Sequence, residues 1–205
     1  MTYIQFRDQF HSYKIFSIND IRKSFYDFDS RRLVEWQHKG YIQKVINRWY
    51  VFTDNEIDDN MKLWVANRIY HPSYISLESA LSYHNLIPEA VYTTTSLTSN
   101  KTISFNTSVG NYAYRHIKSS AFFGYQLIKW KGFPLRMAEL EKVLLDYLYL
   151  YAHISSEQDL HSLRLNTDDL KKKLSLEKFR NYLSLFDNKA LAQRATALLD
   201  YLDVC

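Results

Sequence analysis

Cysteine is nearly absent: the 205-residue chain has one, Cys205, at its last position. No internal disulfide and no cysteine metal cage can form, which fits a reducing, cytoplasmic setting. Glycine and proline are scarce as well, four and three. Collagen-like and linker-like segments are thereby excluded, and a glycine-rich phosphate cradle is not expected. Long apolar runs are missing too. The richest, Val143–Ala152, is ten residues long and broken by Asp146, too short to span a bilayer. The opening MTYIQFRDQF lacks the basic-then-apolar layout of a signal peptide. A soluble, cytoplasmic protein with no membrane partner is the expectation.

Catalytic signatures are equally sparse. His11, His38, His71, His84, His116, His153 and His161 include no pair at i,i+3 or i,i+4, so no helix-borne metal site is signalled. There is no P-loop, no Rossmann glycine fingerprint and no Gly-x-Ser-x-Gly elbow. Neither an enzyme nor a cofactor is expected.

What the chain does have is apolar mass and unevenly placed charge. Apolar residues make up 46% and charged residues 23%, enough for a packed core. Met1–Phe52 holds nine Lys/Arg against five Asp/Glu, a net of +4, while the remaining 153 residues hold seventeen of each. An N-terminal unit with that excess attracts a polyanion, because cations that neutralise phosphates release condensed counterions. Double-stranded DNA is the partner this implies.

The periodicity of the same segment predicts a winged helix-turn-helix. Phe6 and Phe10 suit a short first helix. Ser17, with Asp20 three residues later, marks the start of a second, with Ile18, Ile21 and Phe25 on one face. Asp29 or Ser30 caps a third helix that runs to Lys39 and stops at Gly40. The period then becomes two: Tyr41–Val45 and Trp49–Phe52 read as strands around a tip at Ile46–Arg48, where Asn47 stands in place of an easier Gly. Thr53–Asn60 is short, polar and acidic, and serves as the junction between a domain at residues 1–53 and another at 61–205.

The second domain reads as α+β. Helices are expected near Met61–Tyr70 and Ser76–Tyr83. Four β-rich segments between Val91 and Trp130 come next, closely spaced enough to suggest a small antiparallel sheet. Met137–Tyr151 is a strong helix, and Asp168–Leu174, Leu176–Asp187 and Lys189–Asp203 form a helical C-terminal part. Lys171–Lys173 reads as a solvated helix face.

On a wheel of the third helix, Leu33, Trp36 and Gln37 fall on one side. Arg31, Glu35 and His38 fall on the other, flanked by Arg32 and Lys39. That second side is free to enter a major groove. Ser30 sits at the helix start, where a phosphate or base edge is in reach, and Glu35 is four residues from both Arg31 and Lys39 and can orient them. Lys44, Asn47 and Arg48 stand where a wing touches flanking backbone or minor groove. Trp36 and Trp49 read as core.

Two rival readings start from the second domain. Its Tyr- and Phe-rich composition suits a protein-interaction module with the basic N-terminus as an accessory. On the Met137–Tyr151 helix, Glu139, Lys142 and Asp146 share a polar face, while Glu141 falls on the apolar side between Leu145 and Leu148. A buried carboxylate must find a partner or shift its pKa upward. Glu141 is thus either a structural pair with Arg136, Arg115 or a Tyr hydroxyl, or, with Glu139, part of a metal-dependent nuclease site.

Several segments together carry a family resemblance: LVEWQHKGYI from Leu33 and WYVF from Trp49, YISLESALSYHNLI from Tyr74, VYTTTS from Val91, FFGY from Phe122 and MAELEKVLLDYLY from Met137. In this order and spacing the chain resembles the AbiEi family of antitoxins and transcriptional regulators from type IV toxin–antitoxin systems of phage abortive infection. The resemblance implies a winged helix that represses its own operon at an inverted-repeat operator; the expectation for the bound state is a homodimer on DNA or paired monomers. It also implies a C-terminal domain that counters a nucleotidyltransferase-like toxin without needing a stable complex. The family's Gly-containing basic wing tip is absent here, and Asn85 stands where the family often has Gly. The tail after Tyr151 carries no resemblance.

Overall fold

The computed structural model describes residues 1–204; Cys205 lies outside the described residues. The protein is α+β, with two sheets and ten α-helices among the described residues. The first fifty residues run α1 (Tyr3–Phe10), β1 (Ile15–Ser17), α2 (Ile18–Ser24), α3 (Arg31–His38), β2 (Ile42–Ile46) and β3 (Trp49–Phe52). The strands form an antiparallel sheet in the order β1-β3-β2. β1 has no counterpart in the sequence reading, because three residues carry no periodicity to find.

Alternation in this sheet feeds two cores. Phe16, Ile42 and Phe52 point to the helices and join Phe6, Phe10, Ile21, Leu33 and Trp36 in one buried cluster. Ile15, Val45 and Val51 point the other way and belong to the cluster that fills the rest of the protein. The N-terminal unit therefore has its own aromatic core and is also packed against the remainder of the chain. The junction is stitched down rather than loose: Asp54 pairs with Arg7 at 2.5 Å, and Asn55 bonds both the carbonyl of Lys14 at 3.0 Å and its ammonium at 3.5 Å.

Beyond the junction come α4 (Asp59–Ile69), β4 (Ser73–Ile75), α5 (Leu77–Tyr83), β5 (Thr93–Thr98), β6 (Ile103–Thr107), β7 (Gly110–His116), β8 (Tyr125–Trp130) and β9 (Phe133–Ala138). The chain ends in α6 (Leu140–Leu150), α7 (Glu157–Ser162), α8 (Thr167–Lys173), α9 (Leu176–Phe186) and α10 (Lys189–Val204). The six-stranded sheet has the order β6-β7-β5-β4-β9-β8. It is mixed, not antiparallel as expected: β5 with β7 and β4 with β9 are parallel pairs. The reason lies in burial. β5 buries Thr94, Ser96, Leu97 and Thr98 and belongs in the middle, whereas β6 exposes Ile103, Ser104 and Asn106 and is fit only for an edge. The β6–β7 hairpin thus folds back so that β7, not β6, meets β5. Helices cover both faces of the sheet: Tyr114 donates to the Ala66 carbonyl of α4 at 2.7 Å, while Tyr74 donates to Asp146 of α6 at 3.1 Å.

Met137, expected in a helix, lies in β9 opposite Ile75. Asn85 takes φ +60° just after α5, a left-handed position that Asn tolerates better than most residues.

Candidate nucleic-acid interface

The geometry of the basic segment begins with how α2 and α3 are anchored. Ser17 caps α2: its hydroxyl accepts the Asp20 N–H at 3.1 Å, and the Asp20 carboxylate accepts the Ser17 N–H at 2.8 Å. This is the reciprocal capping box read from the spacing. The start of α3 differs from expectation. Ser30 occupies the cap position but its side chain caps nothing; Asp29 accepts the Arg31 N–H at 3.0 Å instead. Leu33 and Trp36 bury one side of α3, with Trp36 4.5 Å from the Phe6 ring.

The opposite side faces solvent. Arg31, Glu35, His38 and Lys39 are exposed and Arg32 is half-buried, as the wheel required. Val34 shares that side and is 54% exposed. It lies 60° from Arg31 on the wheel, so the angle alone marks it; its apolar character hid it from a reading that looked for charge. An exposed valine on such a face is suited to the methyl group of a thymine.

Two of the three cations on α3 and its C-cap, Arg31 and Lys39, are already paired. The Arg31 side chain is 91% exposed, and its guanidinium lies 2.8 Å from Asp29. Bonds from the Arg31 side chain, then from its N–H, hold the Asp29 carboxyl below the usual carboxylate range. Lys39 lies 2.6 Å from Glu35, and that bond lowers the Glu35 carboxyl likewise. Exposed pairs of this kind are weak and screened by salt, so an arriving phosphate can compete for both cations. Arg22, Lys23, Arg32, Lys44 and Arg48 make no ion pair among the described residues. Arg32 lines a cleft of about 450 Å³ with Met1, Phe25, Tyr26, Asp27, Phe28 and Asp29. The almost fully exposed Tyr26 of this cleft, and Arg22 and Lys23 in the last turn of α2, fall outside the set expected from sequence.

The β2–β3 hairpin holds the remaining residues. Its turn is Asn47–Arg48, and Arg48, not Asn47, takes the left-handed conformation at φ +69°. Arg48 is fixed at both ends: its carbonyl accepts the Ile18 N–H at 3.0 Å and its guanidinium donates to Asn19 at 2.7 Å. Those local bonds carry the strain that an easier residue would avoid. Lys44 pairs with Tyr50, which packs on the helical side, so Lys44 leaves the sheet on that side. Its carbonyl meets Ser108 at 3.4 Å. The hairpin is thus held by α2 at its tip and by the turn between β6 and β7 at Lys44. Among the described residues no hydrogen bond or ion pair joins the α3 set (Ser30, Arg31, Arg32, Glu35, His38, Lys39) to the hairpin set (Lys44, Asn47, Arg48).

The carboxylates of α6 have structural duties. Glu141 accepts the Ser175 N–H at 2.9 Å and lies 3.8 Å from Lys178; none of Arg136, Arg115 or a tyrosine is its partner. Glu139 is bonded to Lys178 at 2.7 Å and to Tyr182. Burial opposes its charge, yet the bonds from Lys178 and Tyr182 outweigh that and keep its carboxyl low. The two glutamates tie α6 to α9. Lys142 and Asp146, expected on a polar face, are completely buried and paired to each other.

No protein-family model and no curated protein sequence matches this chain. Among solved structures, the fold is similar to the crystal structure of the RV2827C protein from Mycobacterium tuberculosis, with a TM-score of 0.61 over 92% of this chain and 72% of that one at 15% identity. At that identity the likeness concerns the fold alone.

Proposed function

We propose that this protein is a DNA-binding transcriptional regulator of the AbiEi type, an antitoxin that represses its own operon and counters a nucleotidyltransferase-like toxin. In this reading residues 1–53 are a winged helix, α3 enters the major groove, and the β2–β3 hairpin is the wing. The element order helix, strand, helix, helix, strand, strand with a β1-β3-β2 sheet supports it. The observation that carries it is the exposed side of α3: Arg31, Val34, Glu35 and His38 face solvent on a rigid aromatic core, within a segment holding the chain's entire net charge. Arg31, Arg32 and His38 would meet bases or position the helix, with Val34 beside them; Lys44 and Arg48 would hold phosphates.

The test is equilibrium binding of the full chain to the duplex upstream of its own gene, compared with a scrambled duplex. Arg31→Ala is expected to weaken binding roughly 10- to 100-fold if the side chain meets a base. Equal affinity for both duplexes, unchanged by Arg31→Ala, contradicts the reading. For the antitoxin half, co-expression with the product of the neighbouring reading frame should restore growth.

A further inference from the structure

A second concave site lies between the two parts of the molecule. Trp49 of β3, Trp64, Asn67 and Arg68 of α4, His71, Leu127 of β8, and Pro134 and Arg136 of β9 enclose about 460 Å³, far more than a bare oxyanion fills. Two of the residues that line it carry a buried donor with no acceptor among the described residues: the indole N–H of Trp64 and the Nε–H of Arg68. Trp64 is only 8% exposed. Leaving a buried donor unpaired is costly, so two beside one cleft are not expected of a merely structural crevice.

The charges around them favour an anion. The Arg68 guanidinium sits 5.2 Å from the Trp49 ring and 5.6 Å from the Trp64 ring, which fix its plane. Its Nη2 lies 3.3 Å from Asp20, so one edge faces the start of α2. Arg136 donates to His71 Nδ1 at 3.3 Å. Burial first, then the charges of Arg136 and Arg68, hold the His71 imidazole below its usual pKa. Two guanidiniums against one carboxylate leave the cleft net positive. Asn67 is spent on the Arg136 backbone, accepting its N–H at 2.5 Å.

We propose that this cleft binds the phosphate group of a phosphate ester, with Arg68 and Arg136 as its counter-charges and the sealed Trp64 Nε1 and Arg68 Nε as donors that a small side-chain shift opens to it. The group belongs either to a free phosphorylated small molecule or to a nucleic-acid backbone running past Arg48. Because Asp20 holds both Ser17 and Arg68, occupancy bears directly on the cap of α2.

The chain has four tryptophans, so its indole N–H signals can be followed individually in the ¹⁵N-labelled full protein, with Trp64→Phe assigning the one in question. Titration with inorganic phosphate, against chloride at matched ionic strength, should move the Trp64 signal downfield and saturate; Arg136→Gln should abolish the shift. Ribose 5-phosphate and a blunt duplex then separate the sources. A shift with the sugar phosphate alone assigns a free ester. A shift with the duplex, together with about one unit lost from the log affinity–log salt slope in Arg136→Gln, assigns the backbone. No shift with any of the three probes, or a shift that survives Arg136→Gln, overturns the site. As a second variant, Trp64→Phe should weaken phosphate binding at least 5-fold by calorimetry; unaltered affinity also overturns it. The phosphate arm needs no DNA, so its failure is distinct from failure of the regulator reading.

Discussion

Helices α3 and α6 each carry an acid and a base four residues apart, yet they use them in opposite ways. In α3, Glu35 and Lys39 are both about half exposed; in α6, Lys142 and Asp146 are both at 0%. The first pair decorates a solvated side. The second is the centre of a buried network in which Lys142 donates to Tyr74 at 2.8 Å, and Ser76 donates to Asp146 at 2.8 Å. The rings of Tyr74, Phe123 and Phe186 stand 5.0–5.2 Å from the ammonium. Burial pushes the Lys142 amine down and the Asp146 carboxyl up, and each is opposed by the other's charge. The same i,i+4 spacing therefore says nothing about burial until the partners are known.

This contrast can be broken most sharply in α6. Asp146→Ala strands an ammonium in the core and should cost about 3–5 kcal/mol, read from urea unfolding midpoints. Replacing both partners, Lys142→Met with Asp146→Leu, should cost less than the single change. A single-site loss of under about 1 kcal/mol would mean that the network is not buried as described. Gly124→Ala probes the same place from the chain entering β8. It sits at φ +70°, and a Cβ there would lie 2.9 Å from Lys142 Cγ, so a loss of about 1–3 kcal/mol is expected.

Smaller effects separate the two helix starts of the N-terminal unit. Ser17→Ala removes both the α2 cap and a partner of Asp20, and should cost about 0.5–2 kcal/mol. Ser30→Ala removes no cap and should leave thermal stability unchanged. Equal losses at the two serines would contradict the assigned cap geometry. Glu35→Ala, smallest of all, should leave the unfolding midpoint where it is, since the pair it breaks is exposed and screened.

Legibility in the sequence tracked locality. The Ser17–Asp20 capping box, the buried pair Leu33 and Trp36, the β2–β3 hairpin and the last two helices are all readable, because each is set by residues within a turn or two. Strands β1 and β4, three residues each, and the insertion of β7 beside β5 depend on pairings distant in the chain. Lys142 and Asp146 are misplaced by the helical wheel for the same reason: Tyr74 and Ser76, which make burial tolerable, stand about seventy residues earlier. At the candidate interface the charged members of α3 are legible, whereas Val34, Tyr26, Arg22 and Lys23 are not. Composition assigns the left-handed turn position to Asn47 rather than Arg48, since the bonds to Ile18 and Asn19 that stabilise Arg48 cross between elements.

The central proposal is that the exposed side of α3 and the hairpin meet DNA phosphates through unneutralised cations. Fluorescence anisotropy of a labelled duplex with the full chain, across a salt series, tests it most directly. Four to six phosphate contacts predict a log affinity–log salt slope of roughly −4 to −5, made shallower by about one unit in Arg32→Ala. Binding indifferent to salt, or a slope that Arg32→Ala leaves untouched, would contradict it.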